Sequence, residues 1–121
     1  MDYKELVFYQ KSCEVVKRIK SEIKIWPQNM QSQEIARQIF RAATSIGANI
    51  AEGHGRHLGR EYIHFLRIAQ GSANEVDHWM HTAIYFTIGS SEILNFLIEL
   101  NNETRKMLTA TIKTLWKKQD K

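Results

Sequence analysis

Apolar residues recur at helical spacing along almost the whole chain, and helix-breaking residues interrupt this pattern at three places. These are Pro27, which is the single proline, the glycine-dense stretch 53–59, and Gly89. Six glycines and one proline in 121 residues exclude a collagen-like chain and are too few for the many tight turns of a β-sandwich. We therefore expect an all-α fold, an up-down-up-down antiparallel four-helix bundle. On the second helix the apolar stripe consists of Ile35, Ile39, Ala42, Ala43, Ile46 and Ile50.

Start and stop signals divide the chain into four helices. Asp2 and Glu5 resemble a capping box at the start of the first helix, and Pro27 cannot continue that helix. Gly53 supplies the backbone freedom expected just past the end of the second helix, and Gly89 plays the same part for the third. We expect one four-helix domain over residues 1–121, with helices at about 2–25, 32–52, 60–88 and 91–117.

The net charge is modestly basic and unevenly distributed along the sequence. Lys and Arg number 17 against 13 Asp and Glu, a net of +4. Residues 1–60 carry 10 basic and 6 acidic residues, a net of +4, whereas residues 61–121 carry seven of each. This excess favours an anionic partner such as nucleic acid for the first half, although a basic solubilising surface is the alternative. Lys113, Lys117 and Lys118 suit the negative end of the last helix dipole.

The sequence has no feature of a membrane or secreted protein. No apolar run approaches the ~20 residues of a membrane span, and the acidic start at residues 1–5 is unlike a signal peptide. Cys13 is the single cysteine, so no internal disulfide is possible, and we expect it to pack as a small hydrophobic residue. We expect a cytoplasmic protein without a membrane partner.

Two predicted helix faces carry residues suited to contacts between molecules. On the second helix, Arg37 and Arg41 are followed by the small residues Thr44 and Ala48. Such a face permits close approach by another chain or a phosphate backbone, and an exposed face of good helix formers explains it equally well. The third helix has a second apolar seam at heptad spacing, which we expect another subunit to cover. Its positions are Ile68, Ser72, Glu75, Trp79, Thr82 and Phe86.

The glycine-dense stretch invites comparison with nucleotide-binding loops. Gly53, Gly55 and Gly59 follow a helix rather than a strand, however, and the Lys-Ser/Thr ending of a phosphate-binding loop is missing. We interpret the stretch as a turn between helices. Arg56 and Arg60 would place positive charge near the exposed N–H groups that start the third helix, which is a natural anion site.

Histidines are the candidates for metal binding. His78 and His81 lie within one helical turn of Asp77, and His54 and His57 lie within the glycine-dense stretch. No paired-cysteine, His-Glu-x-x-His or two-His-plus-carboxylate pattern of established spacing accompanies them. We therefore expect surface or interface histidines, with no catalytic residues, no metal and no cofactor.

Two sequence blocks resemble a known family. Residues 36–53, ARQIFRAATSIGANIAEG, continue into Gly55-Arg56, and residues 65–75 read FLRIAQGSANE. Both blocks, in this order and spacing, are similar to the signatures of the four-helix-bundle 23S rRNA-intervening-sequence proteins. That family includes the accessory variability proteins of diversity-generating retroelements.

The resemblance implies a ring-like homopentamer with a basic surface, which in some members binds nucleic acid as a partner of a reverse transcriptase. No catalytic residue belongs to the pattern. Asn49, Glu52 and Glu75 match positions that are structural or lie in interfaces. The positions that would bind nucleic acid are Arg37, Arg41, Arg56, Arg60 and Arg67.

These observations lead to two hypotheses. The first is a non-enzymatic, oligomeric accessory protein that binds RNA or an RNA–DNA hybrid through phosphate contacts. The second is a protein–protein interaction scaffold whose basic surface is incidental. In both, the oligomer interface is expected to include Thr44, Ala48, Ile68, Ser72, Glu75, Trp79 and Phe86.

Overall fold

The computed structural model describes residues 2–56 and 59–119, and within them it contains helices and no strand. A one-turn 3₁₀ helix, Tyr3–Glu5, precedes four α-helices. The prediction of an all-α, four-helix protein is therefore confirmed. The helices are α1 (Val7–Ile23), α2 (Met30–Arg56), α3 (Gly59–Tyr85) and α4 (Ser91–Gln119).

Each α-helix packs against two of the others, so the four surround a common core. α2 contacts α1 and α3, and α4 contacts α3 and α1. Gly53, near the end of α2, lies against Phe65, near the start of α3. Glu22, near the end of α1, accepts a hydrogen bond from Ser90 just before α4. These neighbouring helices therefore run in opposite directions.

Aliphatic side chains from all four α-helices fill the core, together with several alanines. Burying one such aliphatic side chain contributes about 1.5–3 kcal/mol, so this core supplies most of the favourable free energy of folding. Among the largest fully buried side chains are Val15, Ile39, Ile46, Ile50, Leu66, Val76, Met80, Leu94, Leu97 and Leu108.

The start of the chain differs from the predicted continuous first helix. The Asp2 carboxylate accepts a hydrogen bond from the Lys4 backbone N–H at 2.9 Å, so the capping residue does start a helical turn. Leu6 is extended, with φ −69° and ψ 127°, and packs against the core. This extended residue separates the 3₁₀ turn from α1, which begins at Val7.

α2 starts earlier and ends later than predicted. Asn29 caps its start, because the Asn29 Oδ1 atom accepts a hydrogen bond from the Ser32 backbone N–H at 2.8 Å. At the other end the helix continues through Gly53 to Arg56, so the interpretation of Gly53 as a helix stop is wrong. A β carbon at Gly53 would lie 2.7 Å from the Phe65 Cβ atom. The residue is therefore glycine because α2 and α3 approach each other closely here.

The predicted turn at Gly89 is present and is tied to α1 by a buried carboxylate. α3 ends at Tyr85, and Gly89 has φ +77°, which favours glycine. The Glu22 Oε2 atom accepts hydrogen bonds from the Ser90 backbone N–H at 2.8 Å and from Trp26 Nε1 at 3.1 Å. Through these two hydrogen bonds, one oxygen of Glu22 joins the end of α1 to the α3–α4 turn. Glu22 is only 4% exposed, so the connection is shielded from water.

Cys13 is exposed, contrary to the expectation that it packs in the core. Its neighbour Ser12 takes the buried position on α1, and the Ser12 hydroxyl donates a hydrogen bond to the Tyr9 carbonyl at 2.7 Å. The side-chain hydrogen bond with Cys13 raises the pKa of Tyr9 to about 12. The apolar stripe of α1 is thus rotated away from the thiol.

Replacing Gly53 by alanine tests the close approach of α2 and α3. We expect Gly53→Ala to lower the free energy of unfolding by about 1–3 kcal/mol, because the new methyl group overlaps Phe65. Gly71→Ala is the matched control, since nothing lies within 4 Å of a β carbon at this helical position. It should stabilise the protein by roughly 0.5–1 kcal/mol, and urea unfolding at fixed protomer concentration measures both. Equal effects of the two substitutions would contradict the packing argument.

The carboxylate tie gives a second stability test. Glu22→Ala leaves the Trp26 and Ser90 N–H groups without their acceptor, and each loss costs about 1–3 kcal/mol. Glu22→Gln should retain most of the stability, because its amide oxygen can accept both hydrogen bonds. Urea unfolding of the two variants shows whether a neutral acceptor oxygen is sufficient at this position. If Gln destabilised as much as Ala, the tie would require the negative charge of the carboxylate.

Candidate nucleic-acid interface

Arg37 and Arg41 lie on the exposed face of α2, but their charges are not equivalent. The Arg37 Nη2 atom lies 2.7 and 2.8 Å from the two carboxylate oxygens of Glu34, one turn away. Hydrogen bonds from Arg37 and then from Gln38 hold the pKa of Glu34 below its usual value, so the acid stays ionised. Arg41 has no such partner within the described parts of the chain. Arg41 is therefore the more available of the two cations for a phosphate.

Arg56 and Arg60 lie on helices rather than in a glycine-rich loop. Arg56, in the last turn of α2, pairs with Glu52 at 2.7 Å, and its guanidinium carbon lies 5.5 Å from the centroid of the Phe65 ring. The hydrogen bond with Glu52 raises the pKa of Arg56. Arg60 is exposed in the first turn of α3 and has no acidic partner among residues 2–56 and 59–119. Residues 57 and 58 of the predicted anion site lie outside the described residues.

Arg67 contacts an aromatic ring on another helix, and no pattern in the sequence connects the two residues. Its guanidinium carbon lies 5.3 Å from the centroid of the Trp116 ring on α4. Both residues lie on the outer surface, and Trp116 is 47% exposed. A cation stacked on an exposed indole presents positive charge and an aromatic surface together.

A polar groove continues along α3 and α4 from this pair. Gln70 donates a hydrogen bond to the Thr109 hydroxyl at 2.8 Å. Arg105 donates to the Asn74 side-chain oxygen at 3.0 Å and lies 3.6 Å from Asp77. The groove encloses about 520 Å³ and is lined by Gln70, Asn74, Asn102, Arg105, Lys106, Thr109 and Ala110. Amides and cations of this kind suit contacts to phosphates and base edges.

Positive charge is concentrated where the first half of α3 lies beside the second half of α4. We call residues 59–72 and 105–119 together the basic end. These two segments contain a single acid, Glu61, so the basic end has a net charge of +6, against +4 for the whole chain. Its seven cations are Arg60, Arg67, Arg105, Lys106, Lys113, Lys117 and Lys118.

The five predicted binding arginines therefore do not form one cluster. Arg60 and Arg67 belong to the basic end, and Arg56 lies near it at the end of α2. Arg37 and Arg56 are separated by 19 positions on one helix, or about 28 Å at 1.5 Å per residue. Lys113, Lys117 and Lys118 of α4 are not among the predicted binding residues, because their sequence position suits the helix dipole.

The predicted oligomer interface is only partly an open surface of the folded chain. Ser72 is 8% exposed and donates a hydrogen bond to the Ser45 hydroxyl at 3.0 Å, so it does not lie on the exposed seam. The small side chains let α2 and α3 approach closely, which buries Ser72 between them. Trp79 is half-buried against the core. The remaining positions, Thr44, Ala48, Ile68, Glu75 and Phe86, are exposed.

A second groove lies between α1 and α4 and was not predicted from the sequence. It encloses about 790 Å³ and includes the exposed apolar side chains of Ile25, Ile93 and Phe96. The Arg18 guanidinium carbon lies 5.0 Å from the centroid of the Phe96 ring. This groove offers exposed apolar side chains, with charged residues around them, to a protein partner.

The described residues contain no group of three or more His, Cys, Asp or Glu side chains that could hold a metal ion. The His81 Nε2 atom lies 3.5 Å from an Asp77 oxygen, whereas His57 lies outside the described residues. In the same parts of the chain, no helix has the length and hydrophobicity needed to cross a membrane.

The fold and the surface define a class: an all-α protein of four packed helices with a basic end. The sequence matches the 23S rRNA-intervening sequence proteins over residues 4–110, and the chain belongs to this family. The family resemblance of its two sequence blocks is thereby confirmed.

A related crystal structure supports the same assignment. The crystallised protein comes from Bacteroides thetaiotaomicron and is described as a protein with unknown function from the S23 ribosomal protein family. The two sequences are 32% identical, the match covers 88% of this chain and 99% of the other, and the TM-score is 0.77. No protein with a curated description matches the sequence.

Proposed function

We propose that this protein is a non-enzymatic accessory protein that binds RNA or an RNA–DNA hybrid through its basic end. The observation that carries the proposal is the concentration of seven cations against one acid on adjacent segments of α3 and α4. Cations at this density contact phosphates without reading sequence, and they bind by releasing counterions. The proposed location is the cytoplasm, and a reverse transcriptase or another protein is a partner of the kind that the family resemblance implies.

The proposed assembly is a ring-like homopentamer of up-down-up-down subunits. Five copies of a chain with net charge +4 carry about +20, so weak phosphate contacts on neighbouring subunits add together. The exposed Ile68 and Phe86 on α3 are apolar surface that a neighbouring subunit would cover. Thr44 and Ala48 on α2 allow close approach of that subunit.

The groove between α1 and α4 favours a second candidate function, a protein–protein interaction scaffold. Ile25 is 70% exposed and Phe96 50% exposed, which is a high exposure for large apolar side chains. In this case affinity would depend on apolar burial and would respond weakly to salt.

Salt dependence separates the two functions. We expect binding to a single-stranded RNA oligonucleotide to fall steeply between about 50 and 200 mM salt. Arg60→Ala removes an exposed cation of the basic end, and Arg41→Ala removes one outside it; neither arginine has an acidic partner among the described residues. If either cation binds a phosphate, its removal should reduce the slope of log K against log salt by about 0.7. Fluorescence anisotropy across a salt titration measures both quantities. Binding that is insensitive to salt would contradict phosphate recognition.

A pair of charge-matched variants tests whether Arg37 takes part. Glu34→Gln releases Arg37 from its ion pair, whereas Glu99→Gln makes the same change in net charge at an exposed residue of α4. If Arg37 contacts a phosphate, Glu34→Gln raises affinity more than Glu99→Gln does. Equal affinities would remove Arg37 from the interface.

Light scattering tests the assembly. We expect a particle about five times the 14.2 kDa mass of the chain. Ile68→Ser and Phe86→Ser should shift the protein toward smaller species, because each places a hydroxyl in an apolar contact between subunits. Ile25→Ser, at the exposed groove between α1 and α4, is the control and should leave the mass unchanged. A monomer at all concentrations would rule out the ring.

A further inference from the structure

The contact between Arg67 and Trp116 gives the basic end an aromatic ring that is partly open to solvent. Trp116 is 47% exposed although its hydrophobic surface would gain from burial, and a guanidinium carbon lies 5.3 Å from the ring centroid. The other two tryptophans are more enclosed, since Trp26 is buried and Trp79 is half-buried. Trp116 is therefore the tryptophan that a ligand of the basic end can reach.

We propose that Arg67 and Trp116 form a stacking platform for an unpaired base of single-stranded nucleic acid. This inference rests on the proposed function and narrows its substrate class. Indole rings and guanidinium planes both stack on nucleobases, and stacking tolerates any base because every base has a π face. Bases inside a duplex are already stacked on each other, so the platform favours unpaired nucleotides.

Cations next to the platform are placed to hold the phosphates of such a strand. Lys113 is one helical turn before Trp116 and Lys117 follows it directly, and both are exposed. Neither lysine has an acidic partner within the chain segments that the structure describes. A base stacked on the indole therefore has ammonium groups beside it for the adjoining phosphates.

The polar groove extends the platform along the two helices. Gln70 is one turn from Arg67 on α3, and Thr109 is two turns from Trp116 on α4, so the groove lies on the same side of the two helices as the stacked pair. Its amide side chains, Asn74 and Asn102, hold the Arg105 guanidinium in place by hydrogen bonds of 3.0 and 2.6 Å. Asp77 lies 3.6 Å from the same guanidinium, so the groove adds to the platform polar groups and a fixed cation that already has an acidic neighbour.

Binding of Trp116→Ala to matched oligonucleotides tests the inference. The ligands are a single-stranded RNA, the single-stranded DNA of the same sequence, and a duplex of the same length, at one salt concentration. We expect the substitution to weaken single-strand binding about 5- to 100-fold and to change duplex binding less than about 2-fold. Trp116→Phe should restore much of the loss, because it keeps an aromatic face.

Salt titration provides a readout that a merely structural role would not give. Trp116→Ala removes no charge, so the slope of log K against log salt should stay at the wild-type value, whereas Lys113→Ala should reduce it by about 0.7. The control is Phe96→Ala. It removes a similar cation–ring contact, between Arg18 and Phe96, that lies outside the basic end. This control should leave single-strand affinity unchanged.

The possible outcomes separate this inference from the proposed function. If Trp116→Ala binds single strands as tightly as wild type while binding remains salt-dependent, the platform is wrong and phosphate recognition stands. If Trp116→Ala weakens single-strand and duplex binding equally, the platform is also wrong. If Trp116→Ala gives a smaller particle in light scattering and leaves the single-strand affinity unchanged, Trp116 belongs to a subunit interface and the platform is wrong. If wild type binds none of the three ligands, both proposals fail.

Discussion

Close packing of α2 against α3 is the constraint on which the rest of the structure depends. The two helices approach each other through small residues: Gly53 lies against Phe65, the Ser45 and Ser72 hydroxyls share a hydrogen bond, and Ala73 is fully buried. α2 continues through Gly53 to Arg56 beside the start of α3, so Arg56 and Arg60 lie at the same end of the molecule. The close approach also removes Ser72 from the surface, so the exposed seam of α3 is interrupted rather than continuous.

Antiparallel packing of α3 and α4 then determines where the charge lies. Along the sequence, residues 61–121 have equal numbers of acidic and basic residues. The acids among these residues lie mostly in the second half of α3 and the first half of α4. The cations lie mostly in the first half of α3 and the second half of α4. Because the helices run in opposite directions, the two basic segments become neighbours. A chain of modest net charge thus acquires a strongly basic end.

Local interactions in the candidate interface were accessible from the sequence, and distant ones were not. Glu34 precedes Arg37 by three residues, and Glu52 precedes Arg56 by four, which are the spacings of ion pairs on a helix. These pairs could therefore have been predicted. The stacking of Arg67 on Trp116 joins residues on different helices, and no local pattern indicates it. The same distinction holds for the α1–α4 groove, whose apolar residues come from both helices.

The sequence by itself determined the four helices, their apolar stripes, the turn at Gly89 and the family, because helical periodicity, backbone conformation and motif spacing are properties of neighbouring residues. Only the tertiary structure decided that Gly53 lies inside α2, that Cys13 is exposed and Ser72 buried, and that the basic segments of α3 and α4 are neighbours. The physical reason is the same in each case. Burial and electrostatic potential depend on which helix packs beside a residue and in which direction that helix runs.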